Sequence, residues 1–147
     1  MNKRAIAKSL LILLPVLAVG LATTVDSVTV FDTVSGTTQY YSYFDPVPVG
    51  NLKMLPALAA LLSALSGILA AVYLAKKNQP VLKTAGYAAF ASAAVAAIPM
   101  LIRGDVLVVP NVALPIFMML QFGVACGLEK AGPEKKVPEK APRLKKH

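Results

Sequence analysis

A chain of 147 residues that is 56% hydrophobic, with a mean hydropathy of +0.65, is too apolar for a soluble domain of its size and has the composition of helices dissolved in lipid. Its net charge of +8 is no nucleic-acid footprint, because the cations occupy short breaks between apolar runs and no folded basic domain carries them. A single cysteine, Cys126, and a single histidine, His147, exclude an intrachain disulfide, a metal cluster and a Cys–His nucleophile pair, so no cofactor is expected.

The first apolar run predicts a helix over residues 5–24, with Lys8 snorkelling to the head groups. The same stretch also fits a cleavable secretory signal, with a basic start, an apolar centre and Gly20-Leu21-Ala22 as a small-residue cleavage site. A retained helix is the reading adopted, since four helices bury more shared surface than three. Residues 25–52 form the sizeable segment between the first two runs. Within it SVTVFDTV alternates and is rich in β-branched residues, QYYSYF is aromatic, and Ser35-Gly36-Thr37-Thr38 is turn-like. The pattern predicts a β-hairpin within residues 27–44, pairing Ser27–Val34 with Gln39–Phe44. Two strands alone are marginal in water, and Val106–Val109 either supplies a third or belongs to the fourth helix. Asp45-Pro46-Val47-Pro48-Val49-Gly50 excludes regular structure, because each proline disfavours helix in the residue before it.

Three further runs predict helices over residues 55–75, 84–102 and 106–128. None shows the in-out alternation of a barrel strand, and a helix pairs its own backbone groups inside hydrocarbon. The link KKNQPVLK (Lys76–Lys83) makes the second and third helices antiparallel neighbours, and Arg103-Gly104-Asp105 does the same for the third and fourth. That last tripeptide spells an adhesion motif, but at a helix–helix turn it reads as a turn. Residues 129–147 carry three prolines, no aromatic residue and a net +4, the composition of a disordered basic tail. The expected fold is an all-α membrane protein: a four-helix antiparallel transmembrane bundle over residues 1–128 with a small extracytoplasmic β-hairpin.

Charge placement orients the bundle. With both termini in the cytoplasm, 13 of the 15 Lys and Arg residues fall on the inner side and only Lys53 and Arg103 on the outer, as the positive-inside rule requires of a cell (inner) membrane protein. The lipid bilayer is then the principal partner, with anionic head groups near the basic tail. Tyr40, Tyr41, Tyr43 and Phe44 fall near the outer interface and Tyr73 and Tyr87 near the inner, in the manner of aromatic belts.

Small residues mark the helix-packing faces. The third run holds eight alanines between Ala85 and Ala97, and Ala89 and Ala93 belong to a row repeating every fourth residue. That spacing lets backbones approach closely and places this helix at the bundle centre. Ser63 and Gly67 of the second run and Gly123 and Gly127 of the fourth share the spacing. For Gly123-xxx-Gly127, packing within one chain is the reading adopted and homo-oligomerisation the alternative. Asn111 and Gln121 are the carboxamides at membrane depth. Pro115 lacks the N–H that would bond the Asn111 carbonyl, and ten residues on a helix leave the two side chains about 80° from coincidence. They form no single cluster.

The middles of all four runs contain no Asp, Glu, Lys, Arg or His. Pumps, proton-coupled carriers and voltage sensors place ionisable groups there. Intramembrane hydrolysis needs a base, carboxylate pair or metal beside a serine, and none can be built. The expectation is a non-enzymatic accessory or interaction protein whose external contact is carried by Tyr40, Tyr41, Tyr43 and Phe44, toward a membrane-protein partner or a second copy. The alternative is a small oligomeric channel or facilitator lined by Asn111, Gln121 and the serines.

The segment VFDTVSGTTQYYSYFDPVPVG running into an apolar helix resembles small four-span bacterial membrane proteins of unassigned function, a likeness that implies layout and no activity. The layout is also loosely similar to the claudin-like four-helix plan, with internal termini, a long β-rich first outer loop and a basic tail. This chain has no tryptophan and no loop cysteine, both part of that family's loop pattern, so no sealing or pore role carries over.

Overall fold

Backbone groups in a run of apolar residues have mainly one another to bond, and each of the four runs is an α-helix in the computed structural model, which describes residues 3–24, 28–32, 35–42, 54–103 and 109–132. The helices are α1 (Lys3–Thr24), α2 (Met54–Lys76), α3 (Gln79–Arg103) and α4 (Val109–Lys130), and two strands, β1 (Val28–Asp32) and β2 (Thr37–Tyr41), lie between α1 and α2. All four helices are long and apolar enough to cross a membrane. At ~1.5 Å per residue, even the 22 residues of α1 exceed a ~30 Å hydrocarbon core.

Helix boundaries depart from the sequence expectation at several ends, most of all at the start of α3. The α3 helix starts at Gln79 rather than Thr84 and shrinks the link to Lys77 and Asn78. Pro80 therefore sits in the first helical turn, where no N–H is needed. Lys77 takes a left-handed backbone (φ 52°), its N–H donating to the Tyr73 carbonyl at 2.6 Å, while the Asn78 carbonyl accepts from Leu82 at 3.3 Å. At the other end of the chain, Glu129 and Lys130 belong to α4 and not to a tail. Glu129 pairs with Lys83 at 2.9 Å, and Gly132 (φ 68°) ends the helix by donating to the Glu129 carbonyl at 3.0 Å. Val109 opens α4 as helix, and the described sheet has two strands. Val106–Val108 and the segment 133–147 fall outside the described residues.

The strands pair antiparallel, Val28 opposite Tyr41, Thr29 opposite Tyr40 and Asp32 opposite Thr37. Thr37 and Thr38, read from sequence as turn, are strand residues instead, in keeping with their β-branched side chains. The reversal is made at Ser35 and Gly36, where Gly36 takes the left-handed conformation (φ 66°).

Around the bundle the neighbours are α1–α2, α2–α3, α3–α4 and α4–α1. The Arg4 side chain of α1 donates to the carbonyls of Ala131 and Gly132 just beyond α4. The start of α1, the α2–α3 link and the end of α4 thus share one end, here termed the terminal end. Adjacent helices run antiparallel.

Size sorts the side chains. Facing inward are Ala18 and Ala22 of α1, Ala59, Ala60 and Ala70 of α2, and Ala85, Ala89 and Ala93 of α3, all at or near zero exposure. Facing outward are Leu13, Val16, Leu61, Ile68, Phe90, Ile116 and Leu120. The α3 helix is the most enclosed, with 44% of its span buried against 28–33% for the others. One core cluster joins Ala18, Ala59, Ala89, Ala93, Leu114 and Met118, and a second joins Leu11, Ala70, Tyr73, Leu82, Ala125 and Leu128 toward the terminal end.

Glycines serve two of the closest approaches. A Cβ on Gly86 of α3 would lie 3.2 Å from the Ala125 Cβ of α4, and one on Gly67 of α2 would lie 3.3 Å from the Pro15 Cβ of α1. At Gly123 the same construction meets nothing within 4 Å. Replacing Gly86 with leucine should therefore destabilise the detergent-solubilised protein by about 1–3 kcal/mol, the ordinary cost of overpacking. Gly123→Leu should leave its thermal midpoint unchanged, and equal losses for the two variants would contradict the α3–α4 contact.

Candidate functional site

Between the two core clusters runs a belt of polar side chains. Ser63, Ser66, Ser92 and Gln121 each have 0% exposure. Ser66 on α2 donates to the Ala85 carbonyl of α3 at 2.7 Å. Ser63 and Ser92 lie 2.8 Å apart across the same pair of helices, and both reach the Ala59 carbonyl, at 3.1 and 2.8 Å. Two hydroxyl protons serve these three contacts, so one serine donates to Ala59 while the other donates to its partner. No base faces either oxygen in these contacts. The serines act as inter-helix ties, each worth about 0.6 kcal/mol in a membrane bundle.

Gln121 performs a different task. Pro15 has no N–H, so the helical bond to the carbonyl of Leu11, four residues earlier, cannot form. The Gln121 Nε2 donates to that Leu11 carbonyl at 3.2 Å. Gly67 makes room for the proline ring in the same region. Three helices thus accommodate one proline: α1 supplies it, α2 clears space for it and α4 caps the carbonyl it leaves open. Sequence reasoning applied this logic to Pro115 and Asn111 and missed it at Pro15. The signal was present, a proline four residues after an apolar carbonyl in a chain with few buried amides. The Gln121 Oε1 is buried with no hydrogen-bond partner.

The other singled-out residues separate. Ser63, Ala89 and Ala93 are buried at helix contacts and Gly67 meets Pro15. Gly123 and Gly127 are exposed on the outer face of α4, with nothing among the described residues within 4 Å of an added Cβ. Among the described residues they meet no other helix, because Leu114, Met118, Gln121 and Ala125 take the inward face of α4. Asn111 lies on α4, but its side chain is outside what is described. Ten helical residues place its backbone about 15 Å along the axis from that of Gln121.

On β2, Tyr40 is 58% exposed. The register places Tyr40 opposite Thr29 and Tyr41 opposite Val28. Tyr43 and Phe44 fall outside the described residues.

Cys126 is a half-buried free thiol, and among the described residues no three His, Cys, Asp or Glu side chains gather in a metal-binding arrangement. The terminal end gathers cations: Arg4, Lys8 and Lys77 around one recess and Lys83 beside Glu129. The chain matches no family model, no curated protein and no solved structure.

A double-mutant cycle tests the proline account. Gln121→Leu should cost about 1 kcal/mol by leaving the Leu11 carbonyl unbonded. In a Pro15→Ala background, where residue 15 regains its N–H, the same substitution should cost close to nothing. Additive losses in reversible unfolding would refute the coupling.

Proposed function

We propose that the chain is a multi-pass protein of the cell membrane with both termini in the cytoplasm, and that it serves as a non-enzymatic accessory protein presenting the β1–β2 hairpin outside. The inverted distribution of size supports the membrane placement. Large aliphatic side chains such as Val16, Leu61 and Ile68 face away from the bundle and alanines fill it, the reverse of what burial from water favours. Orientation follows from charge, since Lys3, Arg4, Lys8, Lys76, Lys77, Lys83 and Lys130 belong to helix ends and the link at the terminal end. The fit of α1 against Gly67 and Gln121 favours a retained helix over a removed signal.

One observation carries the accessory reading. The polar groups that could line a path, Ser63, Ser66, Ser92 and Gln121, are fully shielded, and the three serines are tied to backbone carbonyls or to one another. A solute passing through one bundle would have to break these ties. Recognition therefore falls to surfaces outside the bundle, and among them the strand tyrosines combine large contact area with low entropy cost. The outward Gly123 and Gly127 would let a partner helix or a second copy approach α4.

A photo-crosslinking residue on the hairpin should give a discrete adduct with an extracytoplasmic or membrane partner. Changing Tyr40, Tyr41 and Tyr43 together to serine should lower that adduct about tenfold or more, with membrane insertion unaltered. Undiminished capture would refute the tyrosine contact. Solute flux through liposomes at low protein density would favour the channel instead.

A further inference from the structure

Two buried side-chain acceptors have no hydrogen-bond partner among the described residues, Gln79 Oε1 and Gln121 Oε1, and both lie beside the first half of α1. Gln79 lines a recess of about 20 Å³ at the terminal end, between Arg4 and Lys8 of α1 and Tyr73 and Leu74 of α2. Gln121 faces the Leu11 carbonyl of α1. We propose that residues 3–14 of α1 form an arm that pivots at Pro15 between a latched and an open state. The device goes beyond the accessory role and does not involve the hairpin.

Pro15 supplies the fulcrum. It leaves the Leu11 carbonyl without a helical bond, which weakens α1 against bending at that point. The proline itself is anchored, being fully buried with its Cβ 3.3 Å from where a Cβ on Gly67 of α2 would stand. Beyond it, Ala18 and Ala22 at 0% exposure seat the second half of α1 in the core. Before it, no residue from Lys3 to Leu10 is fully buried. A fixed point thus separates a seated half from a lightly held one.

Two hydrogen-bonded ties hold the arm, and both run to the α4 side. Arg4 Nη2 donates to the Ala131 carbonyl at 2.7 Å and to the Gly132 carbonyl. Gln121 Nε2 donates to the Leu11 carbonyl at 3.2 Å. On the α2 side the arm borders the recess, so that is the seam that widens when it swings. Leu11 is buried in the latched state. With lipid outside, moving it to the bundle surface loses packing but little hydrophobic stabilisation. Opening also lets water reach the oxygens of Gln79 and Gln121, whose burial without a partner is a standing cost of the latched state. Lost ties and relieved acceptors oppose one another, which keeps the open state within reach. In that state the carboxamide of Gln121 is bared toward the terminal end.

Electron spin resonance distances in the full chain, carrying Cys126→Ser and reconstituted in phosphatidylglycerol vesicles, test the pivot. One pair of labels goes on Ser9 of the arm and Lys76 of α2, both exposed. A control pair goes beyond the fulcrum, on Leu17 and Leu61, also exposed. Arg4→Gln, which removes a latch, should raise the longer Ser9–Lys76 component about fivefold. Gln79→Leu, which removes an unanswered acceptor, should lower it by a similar factor. Pro15→Ala should leave the short distance alone, even alongside Arg4→Gln. The control pair should keep one distance throughout. A single Ser9–Lys76 distance in both parent and Arg4→Gln would overturn the pivot. So would a longer component that survives Pro15→Ala, since that is fraying of the first turns. If Arg4→Gln disturbs the control pair, the opposite-signed Gln79→Leu effect and its loss in Pro15→Ala decide the matter with the latch intact.

Discussion

The close approach of helix backbones through an interior of alanine, glycine and serine is the feature on which the other contacts depend. Alanine at positions 59, 85, 89 and 93 keeps α3 near α2 and α4. Only at that separation does a serine hydroxyl on one helix reach a carbonyl on the next, as Ser66 reaches Ala85 and Ser92 reaches Ala59. Under the proposed membrane placement there is no hydrophobic gain in turning leucine inward, because lipid is as apolar as leucine itself. Dispersion contacts and inter-helix hydrogen bonds then decide which face turns in. Small residues win that choice here, and the large aliphatic side chains are left outside.

The same economy of polar groups explains a proline within a membrane-length helix. Pro15 forfeits one backbone bond, and in hydrocarbon an open carbonyl costs more than in water. Gln121 removes that cost from the facing helix, and Gly67 clears the ring. The buried carboxamide of Gln121 caps a carbonyl. Its position opposite Leu11 also registers α4 along α1, so a shift of one turn would leave both the Leu11 carbonyl and the amide without partners.

The four helices were legible from the letters because runs free of charge, of membrane length and without alternation leave little else possible. The burial of Ala89 and Ala93 was legible for the same reason, as a fourth-residue row in an alanine-rich helix. What spacing could not say is which way a face points. Gly123 and Gly127 satisfy the small-residue spacing, yet they share a stripe with Ile116 and Leu120, all exposed, while Gln121 marks the opposite, inward stripe. Isolated Gly67 and Gly86, with less motif around them, make the actual close approaches. The start of α3 was placed too late because KKNQPVLK was read as one polar link, whereas Pro80 sits in a first helical turn that tolerates it. The recess at the terminal end draws on Arg4, Lys8, Lys77 and Gln79, residues up to 75 positions apart in the sequence (79 − 4), and only the antiparallel closure of the ring brings them together.

The central claim is that the outward aliphatic side chains face lipid and not water. The chain has no tryptophan, so a single one introduced at Leu61, which is 60% exposed, reports its surroundings without interference. In reconstituted vesicles its fluorescence should be quenched by brominated acyl chains and be indifferent to aqueous iodide. Quenching by iodide with no response to the brominated lipid would contradict the account.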